Sequence, residues 1–233
     1  MEIIFLNTLN AQLTESISDF ILGHAKTADM FCLQEAFHTG TNMHEVCRRL
    51  LPEFECVEAE KELDNEDCFG QATYIRRKHQ VLNSQVIFAN DPDIGLGLIT
   101  EIEINGKPLA VCNFHGVSKP GSKKDTEARI KQSQRIIEAM GSYGPRRIIG
   151  GDFNLDMDTH SVRVFSECGY RNLIVDYNIK TTRNRIAWDM YPETPQLYAD
   201  FVFASQGVQI ESFEVPDIVI SDHQPMILHV NNI

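Results

Sequence analysis

The feature that most constrains this chain is a series of short apolar runs, each closing on a polar or acidic side chain. Glu2–Asn7 reads EIIFLN, Asp29–Glu35 reads DMFCLQE, Pro108–His115 reads PLAVCNFH and Arg146–Gly151 reads RRIIGG, with Asp152 directly after it. Runs of this length, with no helical spacing in them, are buried strands. Gln71–Lys78, Val81–Phe88 and Leu96–Ile104 are further strand-like runs, and Asn105-Gly106 is a two-residue hairpin signal. Leu197–Ser205, Val208–Val215 and Pro225–Asn231 close the chain as strands. Leu13, Ile17, Phe20 and Ile21 lie on one helical face. Thr41–Leu51, stopped by Pro52, and Ser161–Cys168 read as short helices. A longer helix spans Asp125–Met140, with Asp125 as N-cap and Gly141 as stop. Tyr177–Gln196 reads as a loop. Helices therefore come singly between groups of strands, which predicts two packed mixed sheets with helices outside. No strand leads into GxGxxG, so a dinucleotide-binding sheet is a poor fit.

The 233 residues form one domain, 1–233, with 42% hydrophobic and 23% charged residues. That composition supports an ordinary core and excludes disorder or a coiled coil. The net charge of −12 excludes a general nucleic-acid coat protein. Most of the acidic excess lies in residues 53–67, so the rest of the surface is free to meet a polyanion locally. Six scattered cysteines include no CxxC pair, which argues against a zinc knuckle. Cys32 and Cys112 sit in apolar runs, as buried thiols do. Glu2 stands where a leader peptide would be basic, and no apolar run approaches a membrane span. A soluble, cytoplasmic protein with no evident partner protein is the expectation.

The polar residues at the run ends carry the chemistry. They are Asn7, Gln34-Glu35, Asn113 and His115, Asp152 and Asn154, and Asp222-His223. A hard cation wants oxygen ligands, an attacking water needs an acceptor, and developing charge needs fixed donors. Taken singly, each has a bland explanation as a cap, a turn or a strand terminus. Their joint occurrence in this order does not.

The ordered set FLN, LQE, NFHG, GGDFN, ADFVF and SDH resembles the endonuclease/exonuclease/phosphatase superfamily over positions 7–223. The resemblance implies a four-layer α/β/β/α sandwich of two mixed sheets with helices outside. It also implies phosphoester hydrolysis with a divalent cation, usually Mg2+, with Mn2+ as a substitute. Glu35 would be the main carboxylate ligand, with Asn7 and Asp222 nearby and Asp152 and Asn154 at the same centre. Asp152 would orient or deprotonate the attacking water. Asn154 would donate to that water or to a phosphoryl oxygen. His223 would contact the scissile phosphate, with Asp200 fixing its tautomer, and His115 would bind a second phosphate oxygen. Asp152 and His223 are both candidates for the base, and one or two metals fit.

Arg129 and Gln132 share a helix face, and segment 119–135 is basic: a phosphate-backbone contact or solvated surface. On the 177–196 loop, Arg183 could grip phosphate and Trp188 could stack on a ring; packing under the loop is the alternative. Arg76–His79 (RRKH) reads as a solvated strand edge. Ala36-Phe37 follow LQE where apurinic-site nucleases have Thr-Lys, and LQEAF is closer to the LQEVF of bacterial sphingomyelinases. The leading expectation is a nuclease on DNA or RNA. A phosphoesterase for a small or lipid-linked phosphate is second, and a non-catalytic binding module of the same fold is third.

Overall fold

The computed structural model describes residues 1–38, 41–62, 68–190, 192–193 and 195–231. The chain opens with β1 (Glu2–Asn7), a 3-10 turn (Leu9–Ala11), α1 (Thr14–His24), β2 (Met30–His38), β3 (Thr41–Asn42) and α2 (Met43–Leu50). Next come β4 (Phe54–Glu62), β5 (Cys68–Arg76), β6 (Val81–Ile87), β7 (Leu96–Ile104), β8 (Lys107–His115), α3 (Glu127–Gly141) and β9 (Arg147–Asp152). It finishes with α4 (His160–Glu167), β10 (Tyr170–Asn172), α5 (Leu173–Asp176), α6 (Arg185–Met190), β11 (Asp200–Ser205), β12 (Ile210–Glu214) and β13 (Met226–Val230).

Two mixed sheets result. One runs β12-β13-β1-β2-β5-β4 with β3 on β2; the other runs β10-β11-β9-β8-β7-β6. Among the described residues, only β1/β2 and β8/β9 pair in parallel. The alternation along β1 and β2 explains the layering. Ile3, Phe5, Met30 and Cys32 face the core between the sheets, while Ile4, Leu6, Phe31 and Leu33 face the layer of α1 and α2. Both faces are covered, which is why these strands read as unbroken apolar runs. Across the gap, Asn113 Nδ2 donates to Leu33 O, Ala72 O and Thr73 Oγ1, and its Oδ1 accepts from Gln34 Nε2 at 2.6 Å. This polar tie joins the sheets inside an otherwise apolar core.

The two glycines before Asp152 have steric reasons. A Cβ on Gly150 would lie 2.7 Å from the Phe5 ring of the opposite sheet. Gly151 has φ +131, and a Cβ there would meet Phe114 O at 2.1 Å.

Several expectations are corrected. Phe54–Glu62, read as an acidic stretch, is the edge strand β4. Arg185–Met190, read as loop, forms α6. The N-cap of α3 is Thr126, whose side chain accepts from Arg129 N at 3.2 Å. Asp125 instead caps α4, accepting from His160 N, Ser161 N and Ser161 Oγ at 2.6–3.0 Å. The RRKH run is solvated at Arg77 and Lys78, but Arg76 and His79 are partly buried. Arg76 donates to Ala25 O and Ala28 O, and Lys78 and His79 pair with buried Asp29. Among the described residues no helix is long and apolar enough to cross a membrane.

Candidate active site

Strand direction brings the polar ends together. Asn7 ends β1 and pairs in register with Gln34, one residue before Glu35 on β2. His115 ends β8 and pairs with Asp152, which ends β9 and pairs in turn with Asp200, the first residue of β11. Each sheet thus delivers half of the site to the same end of the sandwich.

Glu35 has φ +51 and sits where the β2/β5 register shifts, between Leu33 and Phe37. A left-handed residue in a bulge re-aims the side chain that a regular strand would send elsewhere. Asn7 Nδ2 bridges Glu35 Oε1 at 2.9 Å and Asp152 Oδ2 at 3.0 Å, while its Oδ1 accepts from Leu9 N. His115 Nε2 lies 3.7 Å from each of the same two carboxylate oxygens. Glu35, His115 and Asp152 offer ligand atoms within 4.8 Å of one another. Two carboxylates this close repel unless a cation joins them, and oxygen donors suit a hard divalent ion. The residues present therefore fit such an ion. Asn7, expected as a ligand, here holds the two carboxylates through its amide nitrogen.

The second half is centred on His223. Its Nδ1 lies 2.8 and 2.9 Å from the two Asp200 oxygens, and its Nε2 lies 3.6 Å from Asp152 Oδ2. Thr182 Oγ1 accepts from Ala199 N and Asp200 N, which fixes the start of β11. Asp222, expected near Glu35, is engaged by Arg183. Its Oδ2 accepts from Arg183 Nη2 at 2.7 Å, and its Oδ1 lies 3.7 Å from His223 Nε2. The guanidinium attracts it: Arg183 is buried and also donates Nη1 to His223 Nε2.

Electrostatics follow from this packing. Burial pushes the Asp152 carboxyl up, but the charges of His223, Lys123, His115 and Arg183 outweigh it and hold the group well below the usual carboxylate range. For Asp200 burial wins, with Asp152 adding to it, and its carboxyl is raised. Burial and Arg183 depress His223, yet Asp200, Asp222 and Asp152 lift it above the ordinary imidazole value.

Asn154 is present but engaged at both ends. With φ +55 it folds back, donating Nδ2 to Gly116 O at 3.0 Å and accepting on Oδ1 from Lys123 Nζ. Lys123 is a residue that the sequence did not single out. It lay in a basic run that reads as surface, yet it is 7% exposed. Arg129 is fully buried and donates to the carbonyls of Lys124 and Pro120 at 2.6 and 2.7 Å, with Val117 O and Ser118 O at 3.4 Å. It builds the loop, because both of its Nη groups are spent on those carbonyls. Trp188 is half-buried on α6 and donates Nε1 to Gln196 O at 3.0 Å, a packed position under its loop.

Among solved structures, the chain shares its fold with an endonuclease/exonuclease/phosphatase from Bacteroides vulgatus (TM-score 0.76, 17% identity, covering 99% of this chain and 98% of that one). D. rerio TDP2 humanized by 14 mutations gives 0.78, 16%, 99% and 98%. The Bacteroides thetaiotaomicron mannosyl-6-phosphatase gives 0.77, 15%, 99% and 99%. No curated protein matches by sequence. The profile of one family spans residues 7–223, from the asparagine that bridges the two carboxylates to the imidazole beside them. With that match over nearly the whole length, the chain belongs to the Endonuclease/Exonuclease/phosphatase family.

Proposed function

We propose that this protein is a divalent-metal-dependent phosphoesterase that cleaves by in-line attack of water. The observation that carries the reading is one oxygen. Asp152 Oδ2 lies 3.0 Å from Asn7 Nδ2, 3.7 Å from His115 Nε2 and 3.6 Å from His223 Nε2. It is the point where the acidic and imidazole halves meet. Glu35 and Asp152 would hold the cation, which when bound neutralises charge on the phosphoryl oxygens. Asp152, held ionised, is a weak base and a good acceptor, so it orients the water. His223 would border the phosphoryl group, with Asp200 holding Nδ1 and Arg183 set against Nε2. His115, between Glu35 and Asp152, is placed to meet another phosphate oxygen.

A nuclease on DNA or RNA is one substrate class; D. rerio TDP2 is solved complexed with single strand DNA product. The surface favours the second class, a small or lipid-linked phosphoester. Of the basic run 119–135, Arg129 and Lys123 are buried, Lys124 pairs with Asp156 and Asp158, and Arg135 pairs with Asp91. Little of that run is left to track a polyanion. The test is a panel of DNA, RNA, bis-p-nitrophenyl phosphate, p-nitrophenyl phosphate and sphingomyelin, each with Mg2+ and with EDTA. Turnover that requires Mg2+ and falls by about 10² or more in Asp152→Asn supports the reading. Turnover that persists in excess chelator removes the cation from it. A steep loss of affinity with salt would return the nuclease reading to first place.

A further inference from the structure

Lys123 lies on the loop between β8 and α3, and the loop is built around it. The residue has φ +57, a conformation costly for a side chain larger than glycine. Its carbonyl accepts from Asp156 N at 2.7 Å. The flanking carbonyls of 117, 118, 120 and 124 are gathered by the buried Arg129 guanidinium. Lys124, its neighbour, points outward to two aspartates. Lys123 points inward.

The buried ammonium is under-compensated. Among the described residues it donates to Asn154 Oδ1, a neutral amide oxygen, and no carboxylate lies within ion-pair distance. Burial holds its proton affinity below the ordinary lysine value; Asp152 and Asp200 act against this through space, and Arg183 and Arg129 with it. An ammonium carries three donors, and burying it without a counter-charge is costly because its hydration is lost. Holding Asn154 does not explain that cost. Asn154 is already fixed by its N–H to Asp152 Oδ1 at 2.8 Å and by its Nδ2 to Gly116 O at 3.0 Å, so a neutral donor would serve.

We propose that Lys123 is a catalytic residue whose ammonium binds a non-bridging oxygen of the phosphoryl group under attack. This rests on the phosphoesterase reading of the same site. The lysine adds a charged donor beside the Asn154 amide, which it touches at Oδ1. No proton leaves it and no bond forms to it. It meets the charge that builds on the phosphoryl oxygens during in-line displacement, where a fixed buried cation needs no reorganisation.

The test uses Lys123→Ala and Lys123→Met, each checked for an unchanged melting temperature. Turnover of the best substrate of the wild-type protein should fall by about 10²-fold or more. Ethylamine should restore Lys123→Ala by at least about tenfold, saturably, and leave Asp152→Asn unmoved. Inorganic phosphate, titrated calorimetrically with Mg2+ present, should bind at least about tenfold more weakly to both lysine variants. Retained turnover and retained phosphate affinity would overturn the proposal. So would a loss that amine does not rescue and that tracks a lowered melting temperature, which marks a structural lysine. A wild-type protein with no phosphoester turnover would end the phosphoesterase reading, and the phosphate titration would still judge the lysine.

Discussion

Arg183 Nη1 lies 2.5 Å from His223 Nε2, on the side of the imidazole opposite Asp200. A guanidinium only donates, so Nε2 must be the acceptor and Nδ1–H must point to Asp200. A proton on Nε2 and this contact exclude each other. Arg183 therefore depresses the imidazole that three aspartates lift.

Removing that cation should move His223 upward. In Arg183→Met, the His223 ring protons followed by NMR should titrate at higher pH than in the wild type. The limb of the kcat/KM profile that belongs to this histidine should shift the same way. An unmoved titration would mean that the contact does not persist in solution.

Glu35 and Asp152 oppose each other without a cation, which gives metal binding a thermal signature. Saturating Mg2+, at about 100 times Kd, should stabilise the wild type by about 2.7 kcal/mol. Glu35→Gln should melt no lower than wild type in EDTA and should lose most of the Mg2+ increment. A full increment in the variant would place the ion elsewhere.

Asp29 governs acid stability. Burial raises its carboxyl, but hydrogen bonds from His79, Lys78 and the Glu2 N–H prevail and hold it well below its ordinary 3.8. Because the folded value is depressed, the contribution is fully present above pH 3.8 and is lost as pH falls below it. Asp29→Asn should cost about 2 kcal/mol at pH 7, or about 4–8 °C, with the gap to wild type narrowing towards pH 2. Melting curves from pH 2 to 7 decide it, and a constant gap would contradict the assignment.

Asn113 tests the tie between the sheets. Asn113→Ala leaves Gln34 Nε2 with Cys32 O alone and removes the donor to two β-sheet carbonyls. A loss of about 2–3 kcal/mol, roughly 4–12 °C, is expected in thermal unfolding. A change within about 0.5 kcal/mol would show that water replaces the side chain without penalty.

What was legible in the sequence is the strand-end pattern. Asn7, Glu35, His115, Asp152 and Asp200 converge because each closes or opens an apolar run, and parallel pairing aligns those ends. The hidden parts depend on contacts that no local pattern encodes. FECVEAEKE reads as solvent-facing acid, yet an edge strand tolerates charge along its open side. Lys123 and Arg129 look like members of a basic surface run. Their burial follows from the loop between β8 and α3, whose carbonyls one residue collects and whose left-handed backbone turns the other inward. Asp222 sits one residue before His223, and only the approach of Arg183 from α6's leading loop decides which neighbour it serves.

Gly150 bears on more than close packing. Asn7 and Glu35 ride on one sheet, and His115, Asp152 and Asp200 on the other, so no rigid layer owns the whole reaction centre. The interval across which these groups act on one another is therefore gauged by how near Phe5 settles against a bare backbone. A single methyl added at that remote spot would work like a shim, re-spacing the centre without touching any of its members.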